Sequence, residues 1–170
     1  MTYAETLSGW HDFFVTCGAA SATLVGLLYV GISLHVKIVA THRDVRGLAR
    51  VTLSTYFTVV IVSLLMLVPT DRPSFTAEWL LVASLVALVA VVPASLDALA
   101  GRRRLALPRR VVFSRFGVAT VTFAGLTAFA VVMLNGDYTD ALYAIVGILL
   151  LMLLVSIRNT WDLLVTVAAK

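Results

Sequence analysis

The sequence holds a single cysteine, Cys17, and three histidines, and charged side chains make up only 13% of its 170 residues. One cysteine closes no intrachain disulfide. Together with His11, His35 and His42 it offers no Cys/His spacing of the kind that holds a metal ion. No G-x-S-x-G, H-E-x-x-H, P-loop or dinucleotide fingerprint occurs. No cofactor is implied, and an enzyme is not expected. Soluble domains carry about 25% charged residues, so the scarcity of charge also argues against water as the main solvent.

What replaces charge is apolar: 61% of the chain is hydrophobic and its mean hydropathy is +1.00. A globule of this size has too little interior to hide that much apolar surface. The sequence therefore predicts an all-α integral membrane bundle. Five runs suit spans of roughly 20 apolar residues, at about 13–36, 51–69, 78–98, 111–134 and 141–157. They do not alternate as barrel strands do, and helices satisfy their own backbone in lipid. The whole chain, 1–170, reads as one transmembrane domain, with a helical tail over 158–170. No internal repeat divides it, which speaks against an inverted-repeat transporter.

The net charge is +4. Its basic residues lie in short loops between apolar runs, so a membrane surface is the expected partner and a nucleic acid is not. With the loops after spans one and three and the C-terminus in the cytoplasm, that side holds Lys37, Arg43, Arg46, Arg50, Arg102, Arg103, Arg104, Arg109, Arg110, Arg115, Arg158 and Lys170. Only Arg72 falls on the opposite side, together with Glu5, Asp12, Asp71, Glu78, Asp137 and Asp140. The positive-inside rule then predicts the N-terminus out and the C-terminus in. The first basic residue, Lys37, follows the first apolar run, an order that favours an uncleaved span over a signal peptide.

Ionisable residues are missing from the middle of every span, which disfavours a proton relay. Asp97, Arg115, Arg158 and His35 belong to cytoplasmic ends. Arg158, Trp161 and Asp162, with Asp97, are expected to form a cytoplasmic junction. Arg102, Arg103, Arg104, Arg109 and Arg110 form a basic loop that sets topology and can touch anionic lipid headgroups. Tyr3, Trp10, His11, Phe13 and Phe14 suggest an aromatic layer at the opposite membrane surface.

Small residues repeat in two spans. Gly18, Ala22 and Gly26 recur every four residues and are expected to line one helix face, as are Gly117 and Ala124 in the fourth span. Such faces let backbones approach closely, so spans one and four are expected to pack together. The small face of the first span serves the protomer's own packing, a contact between protomers or a pore wall. Hydroxyls at Thr16, Thr23, Thr55 and Thr58 either bond back to their own helix or line a pore. Pro93 removes a hydrogen bond from the third span and is expected to bend it.

Three segments carry a resemblance: Trp10-His11-Asp12-Phe13-Phe14, Gly18-Ala19-Ala20-Ser21-Ala22-Thr23-Leu24-Val25-Gly26-Leu27-Leu28 and Arg158-Asn159-Thr160-Trp161-Asp162-Leu163-Leu164. In these the chain resembles small multi-span bacterial membrane proteins of unassigned function, some labelled "modulator of FtsH protease". The resemblance implies a bacterial inner-membrane protein without catalytic residues. The small-residue faces and the scarcity of catalytic groups lead to the expectation that it acts through helix contact, by self-assembly or by modulating another membrane protein. The alternative is a homo-oligomeric channel for a small ion or solute.

Overall fold

The computed structural model describes residues 3–100, 109–136 and 138–168. These residues are helical almost throughout: α1 (Tyr3–Gly9), α2 (His11–Leu34), α3 (Val36–Thr41), α4 (Arg43–Met66), α5 (Pro73–Ala100), α6 (Arg109–Leu134) and α7 (Tyr138–Ala168). Five of them, α2 and α4 to α7, are long and apolar enough to cross a membrane. The architecture is thus the all-α, five-span bundle expected of a multi-pass membrane protein.

Local chemistry sets the ends of the helices. The chain turns at His35, whose N–H donates to Ile32 O at 3.2 Å, so the first span stops there and α3 begins anew. The last turn of α4 tightens, with Leu67 and Val68 donating to Leu64 and Leu65, just before Pro69, which cannot continue it. Pro73 opens α5, where its missing N–H costs nothing. Gly136, at φ 104°, reverses the chain after α6 in a conformation that side chains resist. The tail is continuous with the fifth span: α7 runs 31 residues, about 46 Å at 1.5 Å per residue, which exceeds a hydrocarbon core of about 30 Å.

Helices α4, α5, α6 and α7 close a ring, each packed on two neighbours, and α4 also reaches α6 across it. Phe116, Phe123, Leu126, Leu142, Ile145 and Leu149 fill the interior. Helix α2 lies outside that ring, on α4, with a smaller contact to α7. Only 22% of its spanning window is buried, against 56% for α4. The expected packing of the first span on the fourth is therefore not what forms. α4 makes the contact with α2, and α6 meets α5 and α7 instead. Helix α6 turns Phe116, Phe123 and Met133 inward together with Ala119 and Ala130, and leaves Gly117, Ala124 and Ala128 outside.

Candidate functional site

Along α2 the face toward the bundle carries Phe14, Cys17, Ser21 and Leu28, all buried. Gly18 belongs to this side. A Cβ placed on it would lie 3.1 Å from Ser63 Cβ, so glycine is what lets α2 approach α4 so closely. Ala22 and Gly26 are exposed, and a Cβ on Gly26 would meet nothing within 4 Å. Four residues advance a helix by about 400°, so each step drifts roughly 40° and Gly26 stands about 80° from Gly18. The three residues thus split, one on the protomer's own packing and two on its surface. Ala19, Ala20 and Thr23 share that surface, flanked by Leu27 and Val30.

Helix α6 repeats the pattern. Gly117 and Ala124 are exposed, with Val121 and Ala128, and the space around Gly117 is open. Both helices thus leave small residues on the outside of the protomer, while Gly18 and Ser21 of α2 and Ala119 and Ala130 of α6 face inward. Small residues are usually the ones that line helix–helix contacts in lipid.

The four threonines do not converge. Thr16 and Thr23 are on the exposed side of α2 and donate to Asp12 O at 2.7 Å and Ala19 O at 2.9 Å. Thr55 and Thr58 are buried in α4 and donate to Val51 O and Ser54 O, each at 2.8 Å. A hydroxyl spent on its own helix contributes little between helices. Thr55→Val and Thr58→Val are accordingly expected to shift unfolding free energy by less than about 1 kcal/mol each. Chemical or thermal unfolding in lipid nanodiscs measures this.

A polar seam that the sequence did not single out joins the helices. Ser21 Oγ donates to Tyr56 O at 2.9 Å, tying α2 to α4. Tyr56 Oη and Thr160 Oγ1 are 3.2 Å apart, tying α4 to α7, and Thr160 in turn donates to Ser156 O at 2.8 Å. Thr127 Oγ1 donates to Ser84 Oγ at 3.0 Å between α6 and α5. Tyr56, Ser84 and Asn159 are buried. The one available signal was their isolation as polar residues within apolar runs.

At the far end of α7, Arg158 and Trp161 are exposed and Asp162 is half-buried with a partner. Leu163 is buried, and Leu164 packs over Gly31 of α2, where an added Cβ would fall 2.6 Å from Leu164 Cδ2. The tail therefore braces α2. The side chains of Asp97, Arg109 and Arg110, and Arg102, Arg103 and Arg104 altogether, lie outside the described residues.

At the opposite end α1 folds over the bundle, burying Tyr3 and Leu7. Tyr3 meets Tyr138 edge-on at 5.6 Å and Trp10 meets Tyr143 edge-on at 5.4 Å. The aromatic layer is thus partly internal: Tyr3 and Phe14 are buried, while His11 is exposed beside Asp12 at 3.3 Å. Burial pushes the Tyr3 phenol above its ordinary value, and neither its hydroxyl nor that of the buried Thr76 reaches hydrogen-bond geometry with a partner among the described residues.

Among the described residues no three His, Cys, Asp or Glu side chains gather as a metal site. No family model, no curated protein and no solved structure matches the chain.

Proposed function

We propose that the chain is a non-enzymatic protein of the bacterial inner membrane that acts through helix contacts within the bilayer, by self-assembly or by binding another membrane protein. One observation carries this: α2 and α6 each leave a patch of small residues on the outside of the protomer. Ala22 and Gly26 on α2, and Gly117 and Ala124 on α6, offer close backbone approach to a helix of another chain. The resemblance to small bacterial membrane proteins, some of them labelled modulators of FtsH protease, supports the same class of action. In this proposal the N-terminus faces out and the C-terminus in, a reading that the distribution of Lys and Arg supports. The basic loop from Arg102 to Arg110 then rests against anionic headgroups.

A pore is the second reading. It rests on Thr16 and Thr23, which are exposed on the same helix as Ala22 and Gly26 and would line a passage if several copies met through α2. The experiment that separates the two is the protomer count in lipid nanodiscs by native mass spectrometry. Dimers, or a complex with a second membrane protein, are the expected result. A closed ring of four or more copies would favour the pore, and a solitary protomer in native membranes would remove both.

A further inference from the structure

Helices α2 and α7 run side by side, and two contacts fix their register. Trp10 meets Tyr143 at one end, and Gly31 lies under Leu164 at the other. The sequence offset is the same in both pairs, so the exposed Arg158 of α7 is level with Val25 of α2. The Tyr56 hydroxyl agrees, since it reaches from the middle of the α4 span to Thr160. Helix α2 stays apolar as far as Leu34, about 13 Å further along at 1.5 Å per residue. Over that length it presents Leu27, Tyr29, Val30 and Leu34, all exposed. Covering four large apolar side chains with lipid outweighs the cost of immersing one arginine. The bilayer surface therefore follows α2, and Arg158 lies within the hydrocarbon. The surplus length of α7 falls at its other end, where Tyr3 of α1 packs on Tyr138.

A guanidinium at that depth needs an anion. Among the described residues Arg158 enters no salt bridge, and Asp162, one turn on, already has a partner. Lipid phosphate is poorly placed to serve. A helical Cα–Cβ bond tilts toward the helix N-terminus, here deeper into the bilayer, and the exposed Trp161 stands on the way back to the surface. Arg158 also belongs to an exposed stripe formed by Gly147, Leu151, Leu154, Arg158, Trp161 and Val165. Its steps of four and three residues match the 3.5-residue period at which one helix receives another, and a single polar position in such a seam selects the partner. We propose that this stripe receives a transmembrane helix of a different protein, with one Asp or Glu opposite Arg158. A second copy of this chain does not fit, because parallel copies related by a two-fold axis set Arg158 against its own counterpart. The proposal rests on action through helix contact in the bilayer, but it uses α7 in place of the outer faces of α2 and α6.

The test places the donor-labelled full chain in phosphatidylcholine vesicles with acceptor-labelled synthetic helices of leucine and alanine. Each helix carries Glu, Gln or Lys about 13 Å from one end of its apolar run, and energy transfer against peptide density gives relative affinities. The Glu helix is expected to bind about tenfold more tightly than the Gln helix, within the range of desolvated charge pairs. Arg158→Gln should abolish that preference, and Arg158→Glu should pass it to the Lys helix. Arg158 is exposed, so neither variant endangers the fold. Gly26→Leu should keep the preference, whatever it does to assembly through α2, and loss of the preference there would overturn the assignment to α7. Equal binding of the Glu and Gln helices, or a preference that survives Arg158→Gln, would overturn the proposal. So would disappearance of the preference when a third of the lipid is phosphatidylglycerol, which would make lipid phosphate the anion. A spin label on Leu34→Cys, in a Cys17→Ala background, checks the depth independently. Relaxation by oxygen is expected, and relaxation by a water-soluble nickel chelate would place Leu34 in water and overturn the immersion of Arg158.

Discussion

Gly18→Leu will unseat α2 from the bundle, while Gly26→Leu eight residues later in the same helix will leave the protomer intact. The difference follows from what each added side chain meets. At Gly18 the first new carbon already falls 3.1 Å from Ser63 Cβ. That atom is fixed to the backbone of α4 and cannot rotate aside. A leucine adds three further carbons in the same direction. Overpacking of this kind costs about 1–3 kcal/mol or more, and here relief comes by separating the helices, which also breaks the hydrogen bond from Ser21 to the Tyr56 carbonyl. The ring of α4 to α7 does not depend on α2 for closure, so it should persist. Thermal unfolding in nanodiscs, with proteolysis reporting release of α2, measures both effects. At Gly26 nothing stands within 4 Å of the new carbon. A change there in anything but protomer stability therefore reports on another chain.

The second large effect is at Tyr56, which is fully buried where α2, α4 and α7 meet. Tyr56→Ala is expected to cost about 3–5 kcal/mol, as for other large aromatic truncations in packed cores. Tyr56→Phe keeps the ring and loses only the contact with Thr160 at 3.2 Å. Hydrogen bonds between membrane helices average about 0.6 kcal/mol, so this variant should stay within about 1 kcal/mol of wild type. Unfolding of both variants by the same assay compares them directly. Equal losses for Ala and Phe would show that the hydroxyl, and not the packed ring, holds the junction.

The class of fold was legible because lipid imposes a coarse rule: a run of apolar residues long enough to span must be a helix. The five runs appear as α2 and α4 to α7. Their boundaries drifted because hydropathy marks the lipid-facing length and not the hydrogen-bonded length. Helix α4 begins at Arg43 and α7 continues to Ala168, through residues polar enough to leave the hydrocarbon. Which helix touches which was harder. The interval of four in Gly18, Ala22 and Gly26 suggested one face, yet a 3.6-residue turn rotates Gly26 away from α4. Small residues signal close approach but not by whom, and Phe116 and Phe123 of α6 claimed the interior that Gly117 and Ala124 were expected to share. The seam through Ser21, Tyr56 and Thr160 joins residues up to 104 positions apart, a pairing that no local pattern encodes.

The most direct test of action through the outer face of α2 is the size of the complex in native membranes, extracted without denaturation, for wild type and for Gly26→Leu. Wild type is expected well above the 18.3 kDa protomer, and Gly26→Leu is expected to fall to the protomer with its unfolding temperature unchanged. A wild-type chain already at protomer size, or a Gly26→Leu variant that keeps the full complex, would contradict assembly through this face.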